Sequence, residues 1–402
     1  MSTHHRIKNC RICNHKDFYS IIDLGNMSFT GQFPKIGENV NEAPLELVQC
    51  NNCDLVQLAH NFSPTEMYGD FYGYASSQNT WMIEHLKANV QKLQNYYSSN
   101  DLILDIGSND ATTLNFFNKD NPKIGFDPSA QKFQSNYDNN SKLIIDFFNS
   151  KNFFKNSNKK AKIITSYAMF YDLEDPVKFS KEIYEVLEDD GIWNMEQSYL
   201  PSMLEKNSFD TICHEHLEYY SFKQIKYICK QARLKIIDVN LNEANGGSFN
   251  LILCKEQSFL KENDKVKIFE KNEDEFFNNY NFKNFKETIL NNKDKLFTLM
   301  KDYKSQNRKI YAIGASTKGN VLLQYYNINS SILDGVGEIN KDKIGSFTPG
   351  SNIEIFHEDI ILKDKSAGLL ILPWHFKDFF INSEKFKKYT QIYPMPDVHV
   401  IN

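Results

Sequence analysis

No stretch of this 402-residue chain reaches the roughly 18–20 consecutive apolar residues that cross a bilayer. The opening MSTHHRIKNC is polar and basic, and no apolar run of the secretory kind follows it, so a cytoplasmic chain with no membrane partner is expected. Positive charge is also in short supply. The formal net charge is -5 and the pI is near 6.1, the wrong balance for a protein that grips phosphate backbones. Cysteine is sparse and unevenly spread: of seven, four form two tight pairs near the N-terminus and three are scattered. That spacing fits metal binding plus ordinary thiols, not a disulfide framework. Two nucleotide signatures are missing from the cofactor-like turn described below, the GxGxxG run and a phosphate-loop lysine. What is present is ordinary globular material. Hydrophobic residues are 41% and charged residues 24%, which excludes wholesale disorder, and the length implies two or three domains.

Three segments stand out. Residues 1–62 carry the cysteine pairs and are too short to bury much core alone. Residues 63–256 alternate short apolar runs (DLILDI at 101–106, KIGF at 123–126, KLII at 142–145, KIIT at 162–165, GIWNM at 191–195) with helix-length stretches such as 176–187. That rhythm predicts βαβ units and a doubly wound parallel sheet. Runs at 234–239 and 248–254 close the set. Residues 257–402 begin with a helical stripe (Phe282, Phe285, Ile289, Leu296, Met300), and then the βαβ rhythm resumes. There a strand at 309–313 leads into the turn GASTKGN and a helix near 321–326, with further strands at 333–336 and 368–372.

The pattern Cys10-x2-Cys13, 36 residues, Cys50-x2-Cys53 is that of a structural zinc site, because a two-residue gap lets one knuckle offer two thiolates to the same ion. Four protein ligands leave no position open for catalytic water, so the ion is expected to supply folding energy to a small module.

LDIGSNDATTL, at 104–114, reads as a strand ending in Asp105, a turn through Gly107, Ser108 and Asn109, and a helix after Asp110. Asp127 ends the next strand, where a carboxylate suits a ribose diol. Asp146 and Phe147 end the third, where a carboxylate and an aromatic suit an adenine. Three successive strand ends bearing Asp at the carboxyl edge of the sheet suit S-adenosylmethionine.

Taken together, CxxC…CxxC, YGDFYGYASS (68–77), GSNDATTL, CHEHLEYYS (213–221), GASTKGN (314–320) and TPGS (348–351) resemble the three-domain sugar C-methyltransferases of bacterial deoxysugar pathways. This is the group typified by the C-3′-methyltransferase of tetronitrose biosynthesis. The resemblance covers essentially the whole chain. It implies a zinc-binding module, a class I Rossmann-like S-adenosylmethionine domain and a C-terminal Rossmann-like α/β domain. It also implies a nucleotide-linked 4-keto sugar, bound between the last two domains, whose C-3 proton a base removes. His216 is the candidate base, since an imidazole accepts a proton at neutral pH. Glu215 is expected to orient it, His214 to support the loop, and Tyr74 and Tyr72 to correspond to active-site tyrosines. Lys318 is expected on the diphosphate, with Ser316 and Asn320 as hydrogen-bond partners and Glu338 on a hydroxyl. The chain departs from the antibiotic-sugar members at Cys213, where they have Tyr, and at AMFYD (168–172), where they carry a His. Ala111 replaces the usual last glycine of the cofactor turn. The competing readings are a sugar O-methyltransferase on the same scaffold and a zinc-ribbon binding protein with a degenerate methyltransferase domain. The oligomeric state is left open by the sequence.

Overall fold

The computed structural model describes residues 4–63, 67 and 74–402. Tyr72 lies outside the described residues. Among those described, no helix is long and apolar enough to cross a membrane.

The N-terminal module holds strands β1 (His4–Arg6), β2 (Phe18–Ser28), β3 (Glu42–Cys50), β4 (Val56–Leu58) and β5 (His60–Phe62). β2 and β3 form a long antiparallel hairpin, and β4 pairs with β3. The two cysteine knuckles are built alike. Each closes with a backbone hydrogen bond to its first cysteine, Asn14 N–H to Cys10 and Asp54 N–H to Cys50, both 3.0 Å. Each ends on a residue of positive φ, Asn14 at 60° and Asp54 at 61°, residue types that tolerate the left-handed region.

Helix α1 (Thr80–Lys92) leads into the central sheet, capped by Asn79, whose side chain accepts from the Trp81 and Met82 amides. The sheet contains β6 (Ile103–Ile106), β7 (Lys123–Phe126), β8 (Ser141–Ile144), β9 (Ala161–Tyr167) and β10 (Leu187–Ser198). It is completed by β12 (Leu234–Asn242) and β13 (Ser248–Lys255), in the order β12-β13-β10-β9-β6-β7-β8. β6 to β10 are parallel, as the apolar runs predict. β13 runs antiparallel to both β10 and β12, so the sheet is not parallel throughout. The helix expected after Asp110 is absent: turns lead to a three-residue 3-10 stretch at Leu114–Phe116. The cause is local, because Asn109 and Ala111 both have positive φ, 46° and 64°, which no right-handed helix accepts. For Ala111 this is a strained conformation costing about 1 kcal/mol, which the glycine usual at that position escapes.

A short strand, β11 (Glu218–Tyr219), leaves the central segment and pairs with β4, completing the module's sheet in the order β11-β4-β3-β2. The N-terminal module is therefore continuous with the segment that follows CHEHL.

The C-terminal sheet runs β16-β15-β14-β17-β18-β19, where β14 is Ile310–Ile313, β15 Val336–Glu338, β16 Ile355–His357, β17 Gly368–Ile371, β18 Thr390–Tyr393 and β19 His399–Ile401. All pairs are parallel except β18 with β19. The helix after GASTKGN begins at Thr317, inside the motif, because Ser316 caps it by accepting the Gly319 amide at 3.0 Å.

Candidate active site

The four cysteines bring their sulfurs within 4.8 Å of one another. Cys10 and Cys53 stand 3.6 Å apart, and Cys13 and Cys50 3.5 Å. A disulfide needs about 2.05 Å. Four thiolates at about 2.3 Å from one zinc stand about 3.8 Å apart. The donor set fits zinc, and this is the metal-ligand cluster found among the described residues. The HEH run forms no second one. His214 is fully buried, its Nε2 3.2 Å from the Ala43 carbonyl and its ring between Phe29 and Phe62. It belongs to the module's core, while His216 faces a cavity on the other side.

That cavity has a volume of about 530 Å³ and lies between the central and C-terminal sheets. Its first wall is the carboxyl edge of β6, β7 and β8. Asp105, Gly107, Ser108, Asn109, Asp127, Asp146 and Phe147 all line it, as the sequence predicts. Burial raises Asp105 to about 7, opposed by a 2.6 Å hydrogen bond from Thr165 Oγ1. Asp127 fixes the turn as well as facing the cavity. It accepts the Asn109 N–H at 2.9 Å, and the Ser129 N–H and hydroxyl at 2.7 Å each. Gly107 has φ +75°, and a Cβ there would stand 3.2 Å from Met169 Cγ, so the turn closes on a space only glycine leaves. Asn109 and Asp110 accept the amides of Ser76 and Ser77, 3.1 and 2.8 Å, which pins the segment bearing Tyr74 to the turn. Tyr74 lines the cavity. A wall carrying Asp105, Asp127 and Asp146 matches a cationic sulfonium cofactor with an α-ammonium group. We expect Asp127→Ala to weaken S-adenosylmethionine binding about ten- to a hundredfold, the value of one charge-assisted hydrogen bond. Titration calorimetry with unchanged affinity would remove Asp127 from the cofactor site.

The second wall is the loop before β11. His216 Nδ1 lies 2.9 Å from the Thr211 carbonyl. A carbonyl only accepts, so Nδ1 carries the proton and Nε2 keeps its lone pair. The Tyr171 ring packs at 4.4 Å from the imidazole. Burial first, and then the Lys318 ammonium, pull His216 down to about 4. Glu215 does not hold His216 as expected. Its carboxyl, raised by burial, takes the Cys213 thiol as partner, and its Oε1 would be 3.1 Å from a Cβ at Gly31 of the module. Burial pushes the Cys213 thiol up, so it stays neutral beside that carboxyl.

The third wall comes from the C-terminal sheet. Ser316, Thr317 and Lys318 line the cavity at the start of α8, the helix Thr317–Tyr325, as do Pro373, His375 and Phe376 after β17. Lys318 Nζ donates to the Asn245 carbonyl of the central domain at 2.6 Å and is the one Lys or Arg among the described lining residues. Two expected contacts are elsewhere. Asn320 is fully buried and donates to the Thr30 carbonyl at 2.7 Å, because the fourth residue of the helix sits on the face turned toward the module. Glu338 accepts the amides of Ala315, Ile339 and Asn340 at 2.7–3.0 Å, so it ties the loop after β14 to the end of β15.

Sequence reasoning missed Glu196 and His375. Glu196, near the carboxyl end of β10, lines the cavity and accepts from His85, at 2.5 Å, and from Asn89, Asn242 and Asn250, at 2.9–3.1 Å. Trp81 stacks on that His85. His375 lines the cavity with Nδ1 buried and without a hydrogen-bond partner, and burial holds its imidazole at about 3. The strand-end logic used for the three aspartates extends to both, since each lies near the carboxyl end of a strand with a parallel neighbour.

Comparison with known proteins adds three family matches in chain order: a zinc binding domain over residues 10–68, a methyltransferase domain over 79–239 and a C-methyltransferase C-terminal domain over 243–396. C-methyltransferase NovU of Streptomyces niveus is 23% identical across 98% of this chain and 97% of its own length. Among solved structures, an S-adenosylmethionine-dependent methyltransferase from Clostridium acetobutylicum ATCC 824 is 12% identical, covering 43% of this chain and 92% of that one, with a TM-score of 0.34. The mitomycin 7-O-methyltransferase MmcR is 12% identical over 44% of this chain and 55% of that one, with a TM-score of 0.34. With a zinc-binding module, a methyltransferase domain and a C-methyltransferase C-terminal domain following one another along it, the chain is an S-adenosylmethionine-dependent methyltransferase with the domain order of a three-domain C-methyltransferase.

Proposed function

We propose that this enzyme methylates carbon beside the ketone of a nucleotide-linked 4-keto sugar, with His216 as the base. The observation that carries the reading is His216 itself, a neutral imidazole whose Nδ1 is spent on the Thr211 carbonyl, in the one cavity shared by the aspartate wall and Lys318. S-adenosylmethionine supplies a methyl group on a sulfonium, so its leaving group is a neutral thioether. The protein's task is to make and place the nucleophile. Nε2 of His216 takes the proton from the carbon next to the ketone, and the C–H electron pair becomes the enolate. The enolate carbon then bonds the methyl group, the ketone re-forms, and the proton on His216 passes to solvent. Asp105, Asp127, Asp146 and Phe147 hold the cofactor. Tyr74 and Ser316 flank the substrate, and Lys318 faces its anionic oxygens.

The test is a mass-spectrometric screen of UDP- and dTDP-linked 4-keto-6-deoxyhexoses for a gain of one CH2, paired with deuterium uptake beside the ketone in heavy water without methyl donor. Methylation without uptake would move the reading to an oxygen acceptor. No methylation of any 4-keto sugar would set the substrate class aside.

Lys318→Met keeps the apolar stem and removes the charge. We expect a tenfold or greater rise in substrate KM, about 1.5 kcal/mol for one charge-assisted contact, with cofactor affinity unchanged. Because burial shields Nζ from ions, the loss should persist at high salt. The His216 titration, followed by NMR, should move up once the neighbouring ammonium is gone. A fall in S-adenosylmethionine affinity instead would place Lys318 on the cofactor side.

A further inference from the structure

The first zinc knuckle carries an arginine between its two cysteines, and that side chain is only 2% exposed. Its guanidinium reaches out of the knuckle into the seam between the module and the loop bearing His216. Nη1 donates to the Leu58 carbonyl at 2.8 Å and the Leu217 carbonyl at 3.4 Å, and Nη2 to the His60 carbonyl at 3.0 Å. Nε faces the buried Glu218 carboxylate at 3.5 Å. Leu217 and Glu218 are the two residues directly after His216. They are also where β11 joins the module's sheet: Leu58 N–H donates to the Leu217 carbonyl at 2.8 Å, and Glu218 pairs with Gln57. Gln57 closes the circuit back to the knuckle, accepting from the Arg11 amide at 3.2 Å and donating to Cys10 Sγ at 3.3 Å.

We propose that Arg11 is a positioning residue that ties the zinc knuckle to the base loop, holding Leu217 and Glu218 in register on β4 so that His216 stays aimed into the cavity. This rests on the reading of His216 as the base. A small metal module has no need of an arginine buried against a strand from another part of the chain. The fork geometry explains why it is arginine: N–H groups in one plane reach three carbonyls at once while the charge faces a carboxylate, which a lysine ammonium on a single stem does not. Zinc bound by the four cysteines would fix Cys10 and with it the start of the arginine, and the arginine holds the backbone adjoining the base.

The experiment uses the full-length, zinc-loaded protein and the variants Arg11→Lys, Glu218→Gln and His216→Asn. It measures zinc content, S-adenosylmethionine affinity, hydrogen-exchange protection of residues 211–219, and donor-free deuterium uptake into dTDP-4-keto-6-deoxyglucose. Arg11→Lys should keep its zinc and its cofactor affinity, and should lose protection in 211–219. Its kcat for uptake should fall about 100-fold, the cost of a reacting group displaced by about 1 Å, with KM unchanged. Glu218→Gln, which lies outside the knuckle, should lose protection in the same segment, and it carries the test if Arg11→Lys does not hold metal. Wild-type protection and kcat in a zinc-loaded Arg11→Lys, or full protection in Glu218→Gln, would overturn the proposal. Lost protection with unchanged kcat would overturn it too, provided His216→Asn abolishes uptake. Should His216→Asn exchange like wild type, it is the assignment of the base that fails, and the protection data still decide whether Arg11 holds the loop.

Discussion

Replacing His216 with Asn should lower deuterium uptake beside the ketone, and methyl transfer with it, by about 10²–10⁴-fold, the usual contribution of a general base. Both ligands should still bind, because Asn keeps the approximate shape and can still donate to the Thr211 carbonyl that now holds Nδ1. The pH dependence follows from the surroundings. Burial and the Lys318 ammonium hold the free imidazole near 4, so it is unprotonated and able to accept a proton across the neutral range, and it loses that ability as pH falls through about 4. An anionic oxygen against Lys318 offsets the second of these effects, so substrate should raise the value toward neutrality, where proton transfer is most effective. The wild-type acid limb of kcat should therefore lie above that of kcat/KM. His214→Asn should act differently. That ring is packed between Phe29 and Phe62, so its loss should appear as lowered thermal stability before it appears in the chemistry. If the His216 variant exchanges as fast as wild type, the base is another group lining the cavity, and His375, Tyr74 and Tyr171 are the next to change.

Removing zinc should have an effect of comparable size. Structural zinc supplies about 10–16 kcal/mol of apparent binding energy at neutral pH, which becomes folding energy where no preformed site exists. For a free-standing module, Cys50→Ser would cost metal content and solubility and leave the chemistry alone. The module here is not free-standing: β11 completes its sheet two residues after His216, and Gln224 of helix α5 (Phe222–Ala232) donates to the Cys53 carbonyl at 2.8 Å. Chelation, or Cys50→Ser, should therefore lower deuterium uptake together with metal content and melting temperature, and zinc re-addition to the chelated wild type should restore all three. Uptake that survives complete loss of zinc would mean the module stabilises without shaping the site.

The sequence alone determined the features that depend on residues close together along the chain. Two CxxC knuckles specify a tetrahedral thiolate site because each puts two sulfurs on one turn, and the separation between them does not matter once the β2–β3 hairpin brings them together. Alternating apolar runs specify the parallel strands β6–β10, and the acidic residues at or just past the ends of the first three, Asp105, Asp127 and Asp146, line the cavity. Local steric detail was less legible: the positive φ of Ala111 breaks a helix that its composition favours. The tertiary structure alone decided which polar side chains face the cavity. Neighbours in a motif diverge: His216 enters the cavity while His214 enters the module's core, and Lys318 crosses to Asn245 while Asn320 turns to Thr30. It also brought in His375 and Glu196, whose place depends on how two sheets pack. The pairing of β11 with β4, and the reach of Arg11 to the carbonyl of Leu217, join residues more than 150 positions apart. Periodicity and spacing carry no information on such contacts. They are fixed only when the folded chain must satisfy the hydrogen bonds of every strand edge it buries.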